Sequence, residues 1–162
     1  MQTFLPYAEF DDSAKCLDTK RLGKQRVEAY QILKVLLGIG KRNKNGKLAW
    51  ENHPAVNMWK GYEIALYKYA ESICKEWISR GYKDTVLQKL SDLYQTYLLK
   101  YDKEMLYPKW LGNEKLHASH RSNLLRKNKE YYSKFNWKEP DNLEYVWPIS
   151  NVDLEKEIKI HT

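Results

Sequence analysis

Apolar residues recur at spacings of three and four along most of this chain. Gly, Pro and Asn mark the intervals between the periodic stretches, a pattern that predicts helices and little strand. Asp11 or Asp12 caps a first helix running through Cys16, Leu17, Gln25, Tyr30, Leu33 and Leu37 and stopping before Gly38 and Gly40. A second begins with Pro54 in its first turn, carries Trp59, Tyr62, Leu66, Tyr69, Ile73 and Trp77 on one core-facing stripe, and ends at Gly81. Asp84 caps a third, with Leu87, Leu90, Tyr94, Tyr97 and Tyr101 along its face. Gly112 and Asn113 lead into a fourth, from Glu114 to about Lys127. The expected fold is all-α: one compact domain of four to five helices over residues 1–150, closed by an irregular, aromatic-rich stretch in which Pro140 and Pro148 flank a Tyr145-Val146-Trp147 anchor. A charged tail, 151–162, follows and is expected to pack loosely.

Charge narrows the function classes. Lys and Arg number 28 against 21 Asp and Glu, a net charge of +7, in a chain with 13 Tyr and 6 Trp. A basic surface of this kind favours a polyanionic partner over a neutral small molecule. No apolar run reaches the roughly 18 residues a membrane span needs, and no signal peptide or lipid anchor is evident, so a soluble cytoplasmic protein is expected. Cys16 and Cys74 form neither a disulfide framework nor a zinc motif and read as reduced core thiols.

The basic residues fall in three places. Lys20 to Arg26, KRLGKQR, lies within the first helix, with Gly23 inside it. Gly there costs up to about 1 kcal/mol relative to Ala, so either the helix breaks or another group approaches closely, as a binding surface would require. Gly40 to Lys47, GKRNKNGK, reads as a mobile, solvated loop. His117 to Trp137 interleaves cations with aromatic rings, the mixture that suits a nucleic acid. Arg121, Arg126, Lys127 and Lys129 can neutralise phosphates, and His117, His120 and Asn123 can position polar edges. Tyr131 and Tyr132, with Phe135 and Trp137, offer stacking faces. Core filling is the competing role for these rings.

Two ridges can carry chemistry. Asp18, Arg21, Gln25 and Glu28 share one face of the first helix, placing two carboxylates beside a guanidinium. Such carboxylates stay ionised and can stabilise positive charge developing at a sugar, although the same spacing also makes an ordinary surface ion-pair ladder. Glu114, His117 and Arg121 share a ridge of the fourth helix, with His120 alongside. Without a Cys or a third His the pair argues against a metal, and no cofactor motif is present. His53, beside Pro54, reads as a cap or packing residue, and His161 lies in the tail.

Three blocks together resemble the pyrimidine dimer DNA glycosylases, the family of phage endonuclease V. They are LDTKRLGKQRVEA from Leu17, HPAVNMWKGYEIALYKYAESICKEWISRGYKDT from His53, and SHRSNLLRKNKEYYSKF from Ser119. The resemblance implies an all-α domain that extrudes a base from double-stranded DNA, then combines base release with abasic-site lyase action through a Schiff base, without metal or cofactor. In the family the nucleophile is the α-amine of a Thr exposed by removal of the initiator Met. Residue 2 here is Gln, too large for efficient removal, so Met1 becomes the candidate nucleophile. Arg21 then matches the family's active-site Arg, and Leu22 falls where the family has its Glu, leaving Glu28, with Asp18 second, to supply the carboxylate. Lys20, Lys24, Gln25 and Arg26 join the fourth-helix residues as expected DNA contacts, Arg26 matching a second family Arg only in the unshifted register. A monomer is expected, acting on damaged DNA in the cytoplasm at the nucleoid, or in a host cell if viral. A glycosylase for another modified base, or a non-catalytic basic helical DNA-binding protein, are the alternatives.

Overall fold

The computed structural model describes residues 1–100 and 106–148. Seven α-helices follow one another there: α1 Phe10–Cys16, α2 Thr19–Leu36, α3 Pro54–Asn57, α4 Glu63–Ser79, α5 Val86–Leu93, α6 Glu114–Lys127 and α7 Lys129–Tyr132. A π turn, Tyr94–Leu98, extends α5, and a 3₁₀ turn, Ser133–Phe135, closes α7. Among the described residues the only ladder pairing is an isolated antiparallel bridge between Arg42 and Leu48. The all-α expectation holds. Tyr101 and the tail with His161 lie outside the described residues.

Two expected helices are each divided. Leu17 and Asp18 are extended, with ψ of 138° and 155°, and separate α1 from α2. Asp18 stands at the N-cap of α2, but its carboxylate caps nothing: it accepts from the Tyr132 hydroxyl and pairs with Arg21, while its own N–H donates to the Tyr132 oxygen at 3.0 Å. The stretch from Met58 to Tyr62 likewise separates α3 from α4, through tightened turns and Gly61 at φ +87°. Tyr62 N–H bonds the Trp59 carbonyl instead of that of Met58, which leaves Met58 free to accept from the Trp110 indole at 2.7 Å. Local pattern favours one helix in each case. A tertiary partner for one polar group decides otherwise.

The core lies between α2 and α4, which pack along one another. Leu22, Ile32 and Leu33 of α2 meet Leu66, Tyr69 and Ile73 of α4, all fully buried. Each such side chain contributes roughly 1.5–3 kcal/mol on leaving water. The α2 helix runs unbroken through Gly23, because a Cβ there would come within 3.0 Å of the Trp77 ring of α4. Close helix packing, not a ligand, explains that glycine. At one end of the core Trp59 sits edge-on to Trp110 at 4.9 Å and beside Tyr69 at 5.9 Å.

The basic 40–47 loop is exposed as expected, yet it is built as a small hairpin. Asn43 N–H donates to the Lys47 carbonyl, Ala49 N–H to the Lys41 carbonyl, and the Asn43 side chain accepts from Asn45 and Lys47 N–H, with Gly46 turning at φ +76°. The helix α6 has the bounds its sequence predicts, since Asn113 Oδ1 accepts from Lys115 and Leu116 N–H. The 140–147 stretch is strapped along it: Ser122 accepts from Leu143 N–H, Asn123 donates to the Leu143 carbonyl and Ser119 accepts from Val146 N–H.

Candidate active site

The segment from Gln2 to Pro6 has no regular structure and is buried along its whole length. A buried backbone needs a partner for each N–H and C=O, and with no neighbouring strand those partners must be side chains. Gln25 of α2 supplies two, accepting from Phe4 N–H at 3.0 Å and donating to the Gln2 carbonyl at 2.7 Å. Tyr69 of α4 shares its one hydroxyl proton between the Phe4 carbonyl at 2.8 Å and Gln25 Oε1 at 2.6 Å. From α6, His120 Nδ1 accepts from Leu5 N–H at 2.9 Å, His117 Nδ1 donates to the Leu5 carbonyl at 2.7 Å, and Arg121 donates to the Pro6 carbonyl at 2.7 Å. The Trp59 indole holds the Thr3 hydroxyl at 3.0 Å. Gln2 N–H points at Glu28, 3.4 Å from Oε2, and that oxygen also accepts from Gln25 at 3.1 Å.

The clamp corrects the expected roles of the α6 polar ridge. His117, His120, Arg121 and Asn123 are buried, so their polar groups serve the protein interior and cannot meet DNA. His117 accepts from Gly112 N–H at 2.9 Å through Nε2, which fixes its proton on Nδ1 and leaves neither nitrogen for a metal. His120 carries its proton on Nε2, since Nδ1 accepts. Burial, reinforced for His120 by neighbouring His117 and Arg121, pushes both imidazoles below their ordinary value, His120 to about 3. Burial also opposes the charge of Arg121, but its bonds to Glu139 and Glu114 outweigh that and hold the guanidinium above its usual value.

Gln25, Arg26 and Tyr132 are corrected in the same way. Gln25 is 1% exposed and is the hub of the clamp. Arg26 pairs with Asp84 and lies 4.3 Å over the Trp77 ring, bracing α2 against the start of α5. Asp84 also accepts from Leu87 N–H at 2.7 Å, as expected of a cap. Tyr132 is fully buried against Trp137 and Asp18. Tyr131 is half-buried, with the Lys134 ammonium 3.8 Å from its ring centre. Arg126 is exposed but bonds Asn123 and the Asp141 carbonyl.

The remaining candidates converge. Met1, at the free end of the clamped segment, opens into a cleft of about 290 Å³ lined by Lys20, Arg21, Lys24 and Glu28 from α2, Lys127 from the end of α6, and Tyr145. Glu28 lines this cleft; Asp18, tied to Tyr132 and Arg21, does not. A larger hollow of about 530 Å³, between Lys129 and the 136–142 stretch, brings no carboxylate to the Met1 end. Three of the four basic side chains around Glu28 are exposed, with Arg21 half-buried, so the cleft presents a carboxylate inside a cationic rim.

Sequence reasoning missed two neighbours. His53 does cap α3, its Nδ1 accepting from Ala55 N–H at 3.0 Å, but it also lies within electrostatic reach of the Met1 amine and Glu28. Burial first, then the positive Met1 amine, lowers its imidazole below the ordinary value. Tyr145, 5.6 Å from the His120 ring, forms one wall of the cleft. Neither is marked by helical spacing.

A family model described as pyrimidine dimer DNA glycosylase matches residues 1–90, which carry the clamped segment, α2 and the carboxylate of the cleft. No curated protein and no solved structure matches the chain.

Proposed function

The chain belongs to the pyrimidine dimer DNA glycosylase family, and from that premise we propose that it releases damaged pyrimidines from duplex DNA and cuts the resulting abasic site through a Schiff base on the Met1 amine. The observation carrying this proposal is that Met1 and Glu28 line one cleft, with Gln2 N–H directed at the Glu28 carboxylate. An α-amine has an ordinary pKa near 8, roughly two units below a Lys side chain, which makes it the better-suited class of amine for Schiff-base chemistry near neutral pH.

The amine attacks the sugar C1′. The C1′–N bond breaks, the base leaves with the bonding pair and takes up a proton, and the sugar opens to a Schiff base. Glu28 stabilises the positive charge that builds on the sugar and carries the proton given up by the amine. Loss of a C2′ proton then expels the 3′ phosphate, and water returns the free amine. Lys20, Arg21, Lys24 and Lys127 hold the flanking phosphates, with Arg126 next along α6. The protein acts as a monomer on one duplex, with residues 1–150 as the working domain.

Borohydride trapping on abasic-site duplex tests the mechanism, since only an amine-using enzyme leaves a reduced covalent complex. A trapped complex that maps to Met1 is expected. No complex would overturn the lyase step. Strand scission at pyrimidine dimers in ultraviolet-irradiated duplex tests the substrate, since a base cut from its sugar there stays tethered to its dimer partner: trapping on abasic duplex without such scission would reassign the enzyme to another modified base.

A further inference from the structure

The cleft is rich in charge and poor in flat apolar surface. Among the described residues its aromatic lining is Phe4, which is buried, and Tyr145. It suits a sugar and its phosphates, whereas a base drawn from the stack also needs a π face to rest on. Such a face stands close by. Trp50 is 57% exposed, the most open of the tryptophans, and its backbone is left-handed at φ +70°. That conformation is rare for a bulky residue and persists only where the surroundings impose it. The Trp50 carbonyl accepts from His53 N–H at 2.9 Å, which holds the turn. From Trp50 a file of rings leads to the cleft: His53 at 5.8 Å, then Trp147 at 6.2 Å, then Tyr145 at 5.5 Å. On the outer side the file meets the hairpin with exposed Lys41, Arg42, Lys44 and Lys47, whose charge favours a polyanion alongside.

We propose that Trp50 is a stacking platform for an unpaired nucleobase opened from the duplex beside the cleft, a specificity-determining residue held in place by its turn. The platform rests on the DNA assignment above. Stacking accepts any base face, so it selects an opened base, not a sequence. Loss of one stacked base commonly costs about 1–3 kcal/mol, which converts to roughly a 5- to 150-fold loss of affinity.

The test compares two duplexes, one intact and one carrying a reduced abasic site that leaves a base without its partner. Trp50→Ala should weaken binding to the second roughly 5- to 150-fold more than binding to the first, and Trp50→Phe should recover much of the loss. Indole fluorescence quenched on binding in wild type but unquenched in Trp50→Phe would locate the stacked base. Trp50→Gly separates function from folding, because glycine accepts the left-handed backbone: its Tm should equal or exceed that of wild type while lesion preference is lost. Equal losses on both duplexes, unchanged preference in Trp50→Ala, or a lowered Tm in Trp50→Gly would overturn the platform. Wild-type protein showing no salt-sensitive DNA binding at all would overturn the DNA assignment itself, and the platform with it.

Discussion

Replacing Gln25 by Leu tests whether the N-terminal clamp positions the amine. The change keeps the volume of this buried side chain near constant and removes its four hydrogen bonds, to Phe4 N–H, the Gln2 carbonyl, the Tyr69 hydroxyl and Glu28. Tyr69 retains the Phe4 carbonyl at 2.8 Å, so it is not orphaned. Phe4 N–H and the Gln2 carbonyl are, and each unsatisfied buried group costs about 1–3 kcal/mol. The expected destabilisation is therefore about 2–6 kcal/mol, a large share of the 5–15 kcal/mol typical of a whole domain. At roughly 2–4 °C per kcal/mol for a chain of this length, Tm should fall by about 4–24 °C in a calorimetric or dichroism melt. Hydrogen exchange at Phe4 should accelerate more than exchange at Leu66 or Ile73 in the core of α4. Because Gln25 is 1% exposed, salt-dependent affinity for intact duplex should stay close to that of the wild type while trapping at Met1 drops. A Tm within 2 °C of wild type with Phe4 exchange unchanged would refute the clamp, and loss of duplex affinity with trapping retained would return Gln25 to the DNA surface.

The other expectations concern charge. Glu28→Gln should slow base release by about 10² or more with duplex affinity intact, measured in single-turnover kinetics; undiminished release would remove Glu28 from the chemistry. If Lys20, Arg21, Lys24 and Lys127 neutralise about four phosphates, log affinity should fall with log salt at a slope near −3.6, about 10²-fold between 50 and 200 mM, whereas a flat titration would contradict the cationic rim. His120 stays neutral down to about 3 in the folded protein against an ordinary 6.5, so between those values the unfolded chain binds more protons and stability rises with pH. Its contribution is complete above about 6.5 and is lost as pH falls through the window, at up to about 1.4 kcal/mol per unit; His120→Asn should flatten the Tm profile there, and an unchanged profile would exclude His120 as its source.

Much of the helical architecture was legible because its signals are local. Gly112 and Asn113 sit next to each other at the start of α6, and Gly38 terminates α2 at φ +78°, so those boundaries need only neighbouring residues. The breaks at Leu17–Asp18 and Met58–Tyr62 were hidden because their causes lie far off in sequence, in the Tyr132 hydroxyl and the Trp110 indole. The α2 ridge was legible in part. Arg21 and Glu28 do share the cleft with Met1, but Asp18, one turn earlier, is turned inward to Tyr132. The α6 ridge misled for a definite reason. His117, His120 and Arg121 have the composition of a phosphate site, and spacing on a helix says which residues lie together without saying whether they face solvent or a buried strand of backbone. Only the path of residues 2–6 settles that, and no periodicity marks it.

The proposed nucleophile, the Met1 amine, sits among residues of a kind that fray in most domains. This protein answers that with side chains where a sheet would use a neighbouring strand, and the answer also fixes register. Leu5 presents its N–H to an imidazole nitrogen that can only accept and its carbonyl to one that can only donate, three residues apart on α6. Sliding the segment by one residue would set Pro6, which has no N–H, against His120 and leave that acceptor without a donor. The energetic penalty for slippage is thus paid at Leu5, while the consequence is felt at the other end. Gln2 nitrogen is held 3.4 Å from the Glu28 carboxylate, and one residue of chain spans about 3.3–3.6 Å, so the Met1 amine has little room to wander from the same carboxylate. Acid that protonates His120 would replace the acceptor facing Leu5 N–H by a second donor, which couples loss of register, and with it loss of the amine's position, to a titration more than a hundred residues away in sequence.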